Sequence, residues 1–216
     1  MLRIGTRQYE AVRSQGGFSV MLGPNSLYEA PQTWQLCMHY VPGDHNPVEP
    51  AYREREYLEL SVQPLRYEIP DWRALVSFGQ GRDKYGWESF NALGNLLDGG
   101  YSCKRLDVRL FELTVKPAGE YLFACHLEGV LVQDGVETDM ELDDTFAFEN
   151  VNVPVPVNAA DTLATARSIA ARELKLTEIA GSHMTRNDWR RKENVPGPVE
   201  ASHSVTLLTP WRDYLA

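Results

Sequence analysis

The chain has 216 residues, of which 43% are hydrophobic and 24% charged, a composition typical of globular proteins. This length is sufficient for one self-contained apolar core without disulfides or bound metals. The formal net charge of -9 would repel a phosphate backbone, because nucleic-acid binding requires clustered lysine and arginine. We therefore expect no DNA or RNA partner.

The cysteines and the N-terminal segment indicate the compartment. Cys37, Cys103 and Cys125 occur without C-x-x-C spacing, which favours reduced, buried thiols over a disulfide framework or a zinc site. Residues 1–17 lack the apolar segment of a secretory signal, and no run of 18 apolar residues occurs in the chain. The sequence predicts a cytoplasmic protein with no membrane association, and it indicates no cofactor.

The first half of the chain predicts several strands. Weak alternation of apolar and polar residues predicts strands at 18–22, 33–41 and 72–78. Alternation is strong over 58–69, but its apolar phase shifts by one residue at Pro64. Because such a shift would turn the buried face outward, we expect a bulge or a break near Gln63-Pro64. Residues 85–100 instead show apolar residues at helical spacing and predict a short helix that ends at Gly99-Gly100.

Residues 104–133 predict a long antiparallel hairpin. The segment Lys116-Pro117-Ala118-Gly119 is a turn signal between two alternating runs. The apolar phase changes between Leu110 and Phe111, which predicts a second bulge or a strand buried on both faces. The acidic residues 134–144 that follow favour a solvated hairpin loop over a calcium site, because the EF-hand glycine and flanking helices are absent.

The segment after residue 145 predicts a strand, an exit from the sheet and a helix. Residues 145–153 predict a weak strand, and the prolines of VNVPVPVN restrict the following residues to a sheet edge or an exit. The next 23 residues, 158–180, predict a helix capped by Asn158. Its apolar stripe consists of Leu163, Ala166, Ile169, Ala170 and Leu174. The predicted fold is α+β: an antiparallel, bulged sheet covered by this C-terminal amphipathic helix.

Residues 181–184, Gly-Ser-His-Met, divide the chain into two parts of different composition. This string is a common remnant of cloning junctions. Residues 1–180 contain 16 basic and 26 acidic residues and carry -10, whereas residues 181–216 contain five and four and carry +1. The sequence therefore favours an acidic domain at 1–180, a junction at 181–184 and a peptide-like tail at 185–216.

The tail has a polar part and an anchor-rich part. Residues 185–202 are too poor in apolar residues to form a core and predict a disordered linker. Residues 203–216 predict a segment that adds a strand to a sheet edge or inserts aromatic side chains into a groove. The partner-binding anchors in this segment are Val205, Leu207, Leu208, Trp211 and Tyr214. The alternative is that the whole chain is natural and that the tail is its last strand.

Catalytic motifs are missing from the sequence, which contains no G-x-S-x-G, H-E-x-x-H or P-loop pattern. His126 and Glu128 lie two residues apart on a predicted strand and share one face, so they can form an acid–base pair. A half-exposed structural histidine explains the same pattern, and neither residue belongs to a metal-ligand signature. We therefore favour a non-enzymatic module that binds another protein through a short linear segment, with an enzyme around His126 and Glu128 as the alternative.

Overall fold

The computed structural model describes residues 1–11, 16–23, 32–42, 57–67, 69–75, 91–98, 102–187 and 202–211. This part of the chain is mostly β-sheet and contains one α-helix, α1 (Thr162–Leu174). The strands of the described part are β1 (Leu2–Ile4), β2 (Arg7–Ala11), β3 (Gly17–Leu22), β4 (Gln32–Pro42), β5 (Tyr57–Tyr67), β6 (Asn91–Asp98), β7 (Ser102–Gly119), β8 (Leu122–Gln133), β9 (Val136–Pro156), β10 (Gly181–Asn187) and β11 (Ser202–Leu208).

The sheet closes on itself. Strands β4 to β9 follow one another in chain order, and each is antiparallel to the next. Strand β3 lies between β4 and β9 and pairs with both. At another position along β4 and β9, the β1–β2 hairpin joins them, because β1 pairs with β9 and β2 pairs with β4. The pairing of β3 with β9 is parallel, so the sheet is mixed. The α+β class is confirmed, whereas the expectation of a purely antiparallel sheet is wrong.

Both bulges predicted from phase shifts are present. In β5, Gln63 and Pro64 lie opposite the single residue Gln35 of β4. In β7, Phe111 is the extra residue, because Leu110 and Glu112 face consecutive residues of β8. An extra residue in one strand returns the apolar side chains to the buried face after their alternation shifts by one position. The positions of these shifts in the sequence therefore predicted both bulges. The predicted hairpin of β7 and β8 is also confirmed, but residues 116–119 belong to the end of β7 and the turn is Glu120-Tyr121.

Two predicted elements in the first half of the chain are wrong. Residues 91–98 of the predicted helix form β6, which pairs along its whole length with β5 and β7. Backbone hydrogen bonds from two neighbouring strands therefore override the helical spacing of the apolar residues. Residues 85–90 and 99–100 lie outside the described residues. Within 72–78, Trp72–Ala74 form a short 3-10 helix, because the Asp71 carboxylate accepts a hydrogen bond from the Arg73 amide.

The acidic stretch after β8 is a strand with a tight turn, and the predicted loop is therefore wrong. The turn consists of Asp134 and Gly135, whose φ angles are 53° and 80°. From Val136 onward the chain forms β9, which pairs with β8 as far as Ala147. A two-residue Asp-Gly turn needs positive φ at both positions and fits the right-handed twist of paired strands. The carboxylates of this stretch therefore lie along a strand.

The helix α1 is shorter than the predicted range 158–180 at both ends, because it begins at Thr162 and ends at Leu174, where Lys175 adopts a positive φ of 54°. Asp161 is its N-cap and accepts a hydrogen bond from the Ala164 amide at 2.9 Å, whereas Asn158 precedes the helix in a turn. Its buried face consists of Ala166, Ala170 and Leu174, and α1 packs against β9 and β11. These small side chains join the same continuous core as the sheet. The prediction of a sheet covered by this helix is therefore confirmed for the region of β9 and β11.

Candidate functional site

Residues 203–208 of the predicted anchor segment lie in β11, between β9 and β10, and residues 212–216 of that segment lie outside the described residues. Seven residue pairs join β11 to β9, from Ser202 opposite Pro156 to Leu208 opposite Asn150, without a register shift. The same seven residues pair with β10 on the other side. The described part of the anchor segment is therefore paired in continuous antiparallel register with β9, as expected for a segment that adds a strand to a sheet, although Pro154 and Pro156 of β9 have no backbone N–H to donate.

The anchor side chains alternate between the core and the surface. Val205 and Leu207 are 2% and 0% exposed and lie opposite Val153 and Val151 of β9. Trp211 is also buried, whereas Leu208 is 38% exposed. The structure thus brings Val205, Leu207 and Trp211 together in the core and leaves Leu208 outside it. Tyr214 lies outside the described residues.

Thr209 is a contact residue that was not predicted from the sequence. Its amide donates a hydrogen bond to the Glu149 carbonyl at 3.0 Å, and its hydroxyl donates to the Phe148 carbonyl. Thr209 is buried and continues the alternation of Val205, Leu207 and Trp211. This alternation is the available signal, but threonine is small and polar, so an apolar pattern alone does not identify it as an anchor.

The outer face of the same ladder carries polar contacts. Thr206 lies opposite Asn152 and donates its hydroxyl hydrogen bond to the Asn152 side-chain oxygen at 2.6 Å. The Asn152 amide in turn donates to Asn150 at 3.2 Å. One face of β11 is therefore fixed by apolar burial and the other by side-chain hydrogen bonds, so a shift of one residue would lose both sets of contacts.

The Gly-Ser-His-Met string lies within a strand. Residues 181–187 form β10, and Met184 lies opposite Val205 in the pairing with β11. The boundaries of the predicted linker need correction, because residues 185–187 belong to β10 and Ser202 begins β11. Pairing with β11 satisfies backbone groups that a polar segment alone would leave to water. Residues 188–201 lie outside the described residues.

His126 and Glu128 lie on the same outer face of β8, as the two-residue spacing predicts. His126 Nε2 is 3.3 Å from Glu128 Oε1, and its Nδ1 is 2.8 Å from Asp143 Oδ1 on β9. Hydrogen bonding to Asp143, and secondarily to Glu128, raises the pKa of His126 above its ordinary value, while burial opposes this shift. The imidazole is therefore stabilised in its charged form as a link between two strands.

Among the described residues, the surroundings of His126 do not complete a catalytic arrangement. A general base needs a ring nitrogen available to the reacting group, and both nitrogens here face carboxylates. Thr114, the cross-strand neighbour of His126, donates its hydroxyl to Glu112 at 2.9 Å. In the part of the chain that the structure describes, no group of three histidine, cysteine or acidic side chains is arranged to hold a metal ion.

A second cluster of titratable groups faces inward. Cys125 is buried, as predicted, and lies opposite Asp144 on β9. Burial raises the pKa of the Cys125 thiol, and the Asp144 charge raises it further. Burial likewise raises the pKa of Tyr40, with added contributions from Asp144 and Cys125. The Tyr40 hydroxyl has no hydrogen-bond partner among the described residues. The Cys125 thiol and the Tyr40 hydroxyl therefore stay protonated at neutral pH, which disfavours a nucleophilic role for the thiol.

These features define an α+β protein built on one mixed sheet that closes on itself and extends through β11 and β10. Comparison of the chain with protein-family models, with curated proteins and with solved structures finds no match. Among the described residues, no helix has both the length and the apolar character needed to cross a membrane.

Proposed function

We propose that residues 1–180 form a non-enzymatic protein-binding module that captures an extended segment of a partner protein beside the C-terminal part of β9. In this proposal residues 203–216 represent such a segment, joined to the module in cis. The observation that carries the proposal is the uninterrupted seven-residue ladder between β11 and β9, combined with burial of Val205 and Leu207.

Two contributions to binding are separable in this arrangement. Main-chain hydrogen bonds of the ladder supply affinity that does not depend on sequence, and alternate side chains supply specificity. Val205 and Leu207 contact valines of β9, and Trp211 completes the buried series at the end of the strand. The recognised pattern is therefore a β-branched or leucine side chain at alternate positions, followed by threonine and tryptophan at the same spacing.

Charge supports the assignment of the two parts. Residues 1–180 carry -10, and residues 181–216 carry +1. Opposite net charge accelerates association more than it strengthens the final complex. A covalent connection between a module and a weak ligand raises the effective concentration of that ligand, which explains continuous occupancy of the site in one chain.

The test uses the full chain with a recognition sequence for a site-specific protease inserted within residues 188–201. After cleavage, a fluorescently labelled peptide of residues 202–216 is added, and its binding is followed by anisotropy. We expect the labelled peptide to replace the cleaved segment while the rest of the chain stays folded. A Leu207→Ala peptide should bind at least about tenfold more weakly, and the matched Leu208→Ala peptide within about threefold of the parent.

Two outcomes would contradict the proposed function. If the cleaved segment does not exchange under native conditions, or if the remaining chain unfolds when it leaves, residues 202–211 are an integral strand of the fold. Circular dichroism of the cleaved protein detects unfolding, and the anisotropy of the labelled peptide distinguishes exchange from retention of the cleaved segment.

A further inference from the structure

Strand β9 changes its neighbour at Phe148 and Glu149. Its ladder with β8 extends to Ala147, and its ladder with β11 begins at Asn150. Both β8 and β11 lie on the side of β9 opposite to β3, so Phe148 and Glu149 occupy the gap between the two ladders. The register of β9 with β3 shifts at the same place, because consecutive residues of β3 lie opposite Phe148 and Asn150. Glu149 is therefore the extra residue of a bulge in β9.

Thr209 contacts the carbonyls of both residues in this gap. Its amide donates a hydrogen bond to the Glu149 carbonyl at 3.0 Å, and its hydroxyl donates to the Phe148 carbonyl. Consecutive carbonyls of a regular strand point to opposite sides, so one neighbouring strand does not normally receive both. The bulge at Glu149 bends β9 and turns two consecutive carbonyls toward the end of β11.

The gap is buried, which makes the hydroxyl of Thr209 important. Phe148 and Thr209 are 0% and 3% exposed, and the Phe148 amide donates to the Tyr121 carbonyl at 2.7 Å. A buried carbonyl that loses its donor carries an unpaired desolvation cost. Threonine and serine combine a backbone N–H with a hydroxyl on a short side chain, whereas aliphatic residues lack the hydroxyl and proline lacks the N–H.

We propose that the Phe148 and Glu149 carbonyls form a hydroxyl subsite, which selects partner segments that have threonine or serine at the position of Thr209. This selection rests on the proposed capture of an extended segment beside β9. The subsite adds a polar requirement to the apolar one at Val205 and Leu207, because both carbonyls must receive a donor when the segment is bound.

The subsite also favours one register of the bound segment. A shift of one residue is opposed by the alternation of buried and exposed side chains, but a shift of two residues keeps that alternation. Such a shift would bring Leu207 or Trp211 to the position of Thr209, and neither side chain carries a hydroxyl. A hydroxyl requirement at this position therefore distinguishes registers that apolar alternation leaves equivalent.

The test uses the cleaved, folded chain and labelled peptides of residues 202–216, with binding followed by anisotropy. A Thr209→Val peptide keeps the shape of the side chain and should bind about tenfold or more weakly than the parent. A Thr209→Ser peptide keeps the hydroxyl and should bind within about fivefold of the parent. The matched control is a Thr206→Val peptide, which makes the same chemical change on the half-exposed outer face. It should bind within about threefold of the parent, because water can replace that hydroxyl.

The outcomes separate the subsite from the proposed function. If the parent peptide exchanges and the Thr209→Val peptide binds as tightly, the hydroxyl subsite is overturned and the proposed function stands. A Thr209→Ser peptide as weak as the Thr209→Val peptide also overturns the subsite, because side-chain volume then explains the preference. A parent peptide that does not exchange at all contradicts the proposed function, and the selection of partners fails with it.

Discussion

The imidazole of His126 on β8 links two acidic groups that lie on different strands. Its Nδ1 atom is 2.8 Å from the Asp143 carboxylate on β9, and its Nε2 atom is 3.3 Å from Glu128 on its own strand. His126 and Asp143 are directly opposite in the ladder. A positive charge between two carboxylates offsets the repulsion that an acidic outer face would otherwise have.

This relationship predicts how the pKa of His126 responds to substitution. Asp143→Asn should lower the pKa of His126 more than Glu128→Gln, because the Asp143 hydrogen bond is the largest cause of the upward shift. NMR titration of the histidine ring protons measures both effects. Glu141→Gln is the control, since Glu141 pairs with Arg3. Equal shifts in the two test variants would contradict the assignment.

The same pKa shift predicts the sign of the pH dependence of stability. A folded-state pKa above the unfolded value of about 6.5 means that the folded protein binds the proton more tightly. The stabilisation is therefore complete below pH 6.5 and is lost as pH rises through the folded pKa. Urea unfolding of the wild type and His126→Gln should show a larger difference at pH 5.5 than at pH 8.5, and a reversed order would contradict this sign.

Two buried tyrosines should respond in opposite directions to loss of the hydroxyl. The Tyr40 hydroxyl is buried without a partner among the described residues, so Tyr40→Phe should be neutral or stabilising by up to about 1 kcal/mol. Tyr121 donates its hydroxyl to Glu178 at 3.3 Å, so Tyr121→Phe should cost about 0.5–1.5 kcal/mol. Thermal and urea unfolding measure both. A large loss from Tyr40→Phe would reveal a partner for that hydroxyl.

Close approach of β3 and β9 should make Gly17 intolerant of a side chain. A Cβ atom at Gly17 would collide with the Ala147 backbone carbonyl, which cannot move without disturbing the ladder. Gly17→Ala should therefore cost about 1–3 kcal/mol of unfolding free energy. Gly119→Ala is the matched control, because its Cβ would meet Leu122 at an ordinary 3.6 Å. Equal tolerance of both substitutions would argue against the parallel pairing of β3 with β9.

The N-cap of α1 is tested by a pair of alanine substitutions. Asp161→Ala removes the acceptor for the Ala164 amide and should cost about 1 kcal/mol. Asn158→Ala should be close to neutral, because Asn158 lies before the helix. Urea unfolding distinguishes the two positions, and a larger effect at Asn158 would restore the cap predicted from the sequence.

Thr209 should contribute to retention of the anchor segment through its hydroxyl. Thr209→Val keeps the volume but removes the hydrogen bond to the Phe148 carbonyl, and it should cost about 1–2 kcal/mol. The control is Thr145→Val on the exposed face of β9, which should change stability by less than about 0.5 kcal/mol. Unfolding measurements on the full chain test both, and an unaffected Thr209→Val would show that the amide hydrogen bond to Glu149 is sufficient.

The local sequence pattern predicts those features of the protein whose geometry depends on residues close together in the chain. The phase shifts at Pro64 and Phe111 located two bulges, and the two alternating runs predicted the hairpin of β7 and β8, although its turn lies at Glu120-Tyr121, directly after the predicted residues 116–119. The apolar stripe of α1 follows helical periodicity, and its members Ala166, Ala170 and Leu174 are buried, whereas Leu163 is exposed. The pairing of His126 with Glu128 followed from strand geometry.

Only the tertiary structure decided which distant segments meet. Residues 91–98 have helical spacing, but they form a strand because β5 and β7 supply hydrogen bonds on both sides. The parallel placement of β3 beside β9 and the approach of Asp143 to His126 involve residues far apart in the chain. The sequence determined local phase and side-chain alternation, whereas the closure of the sheet and the position of the anchor segment depend on backbone pairing, which local pattern does not encode.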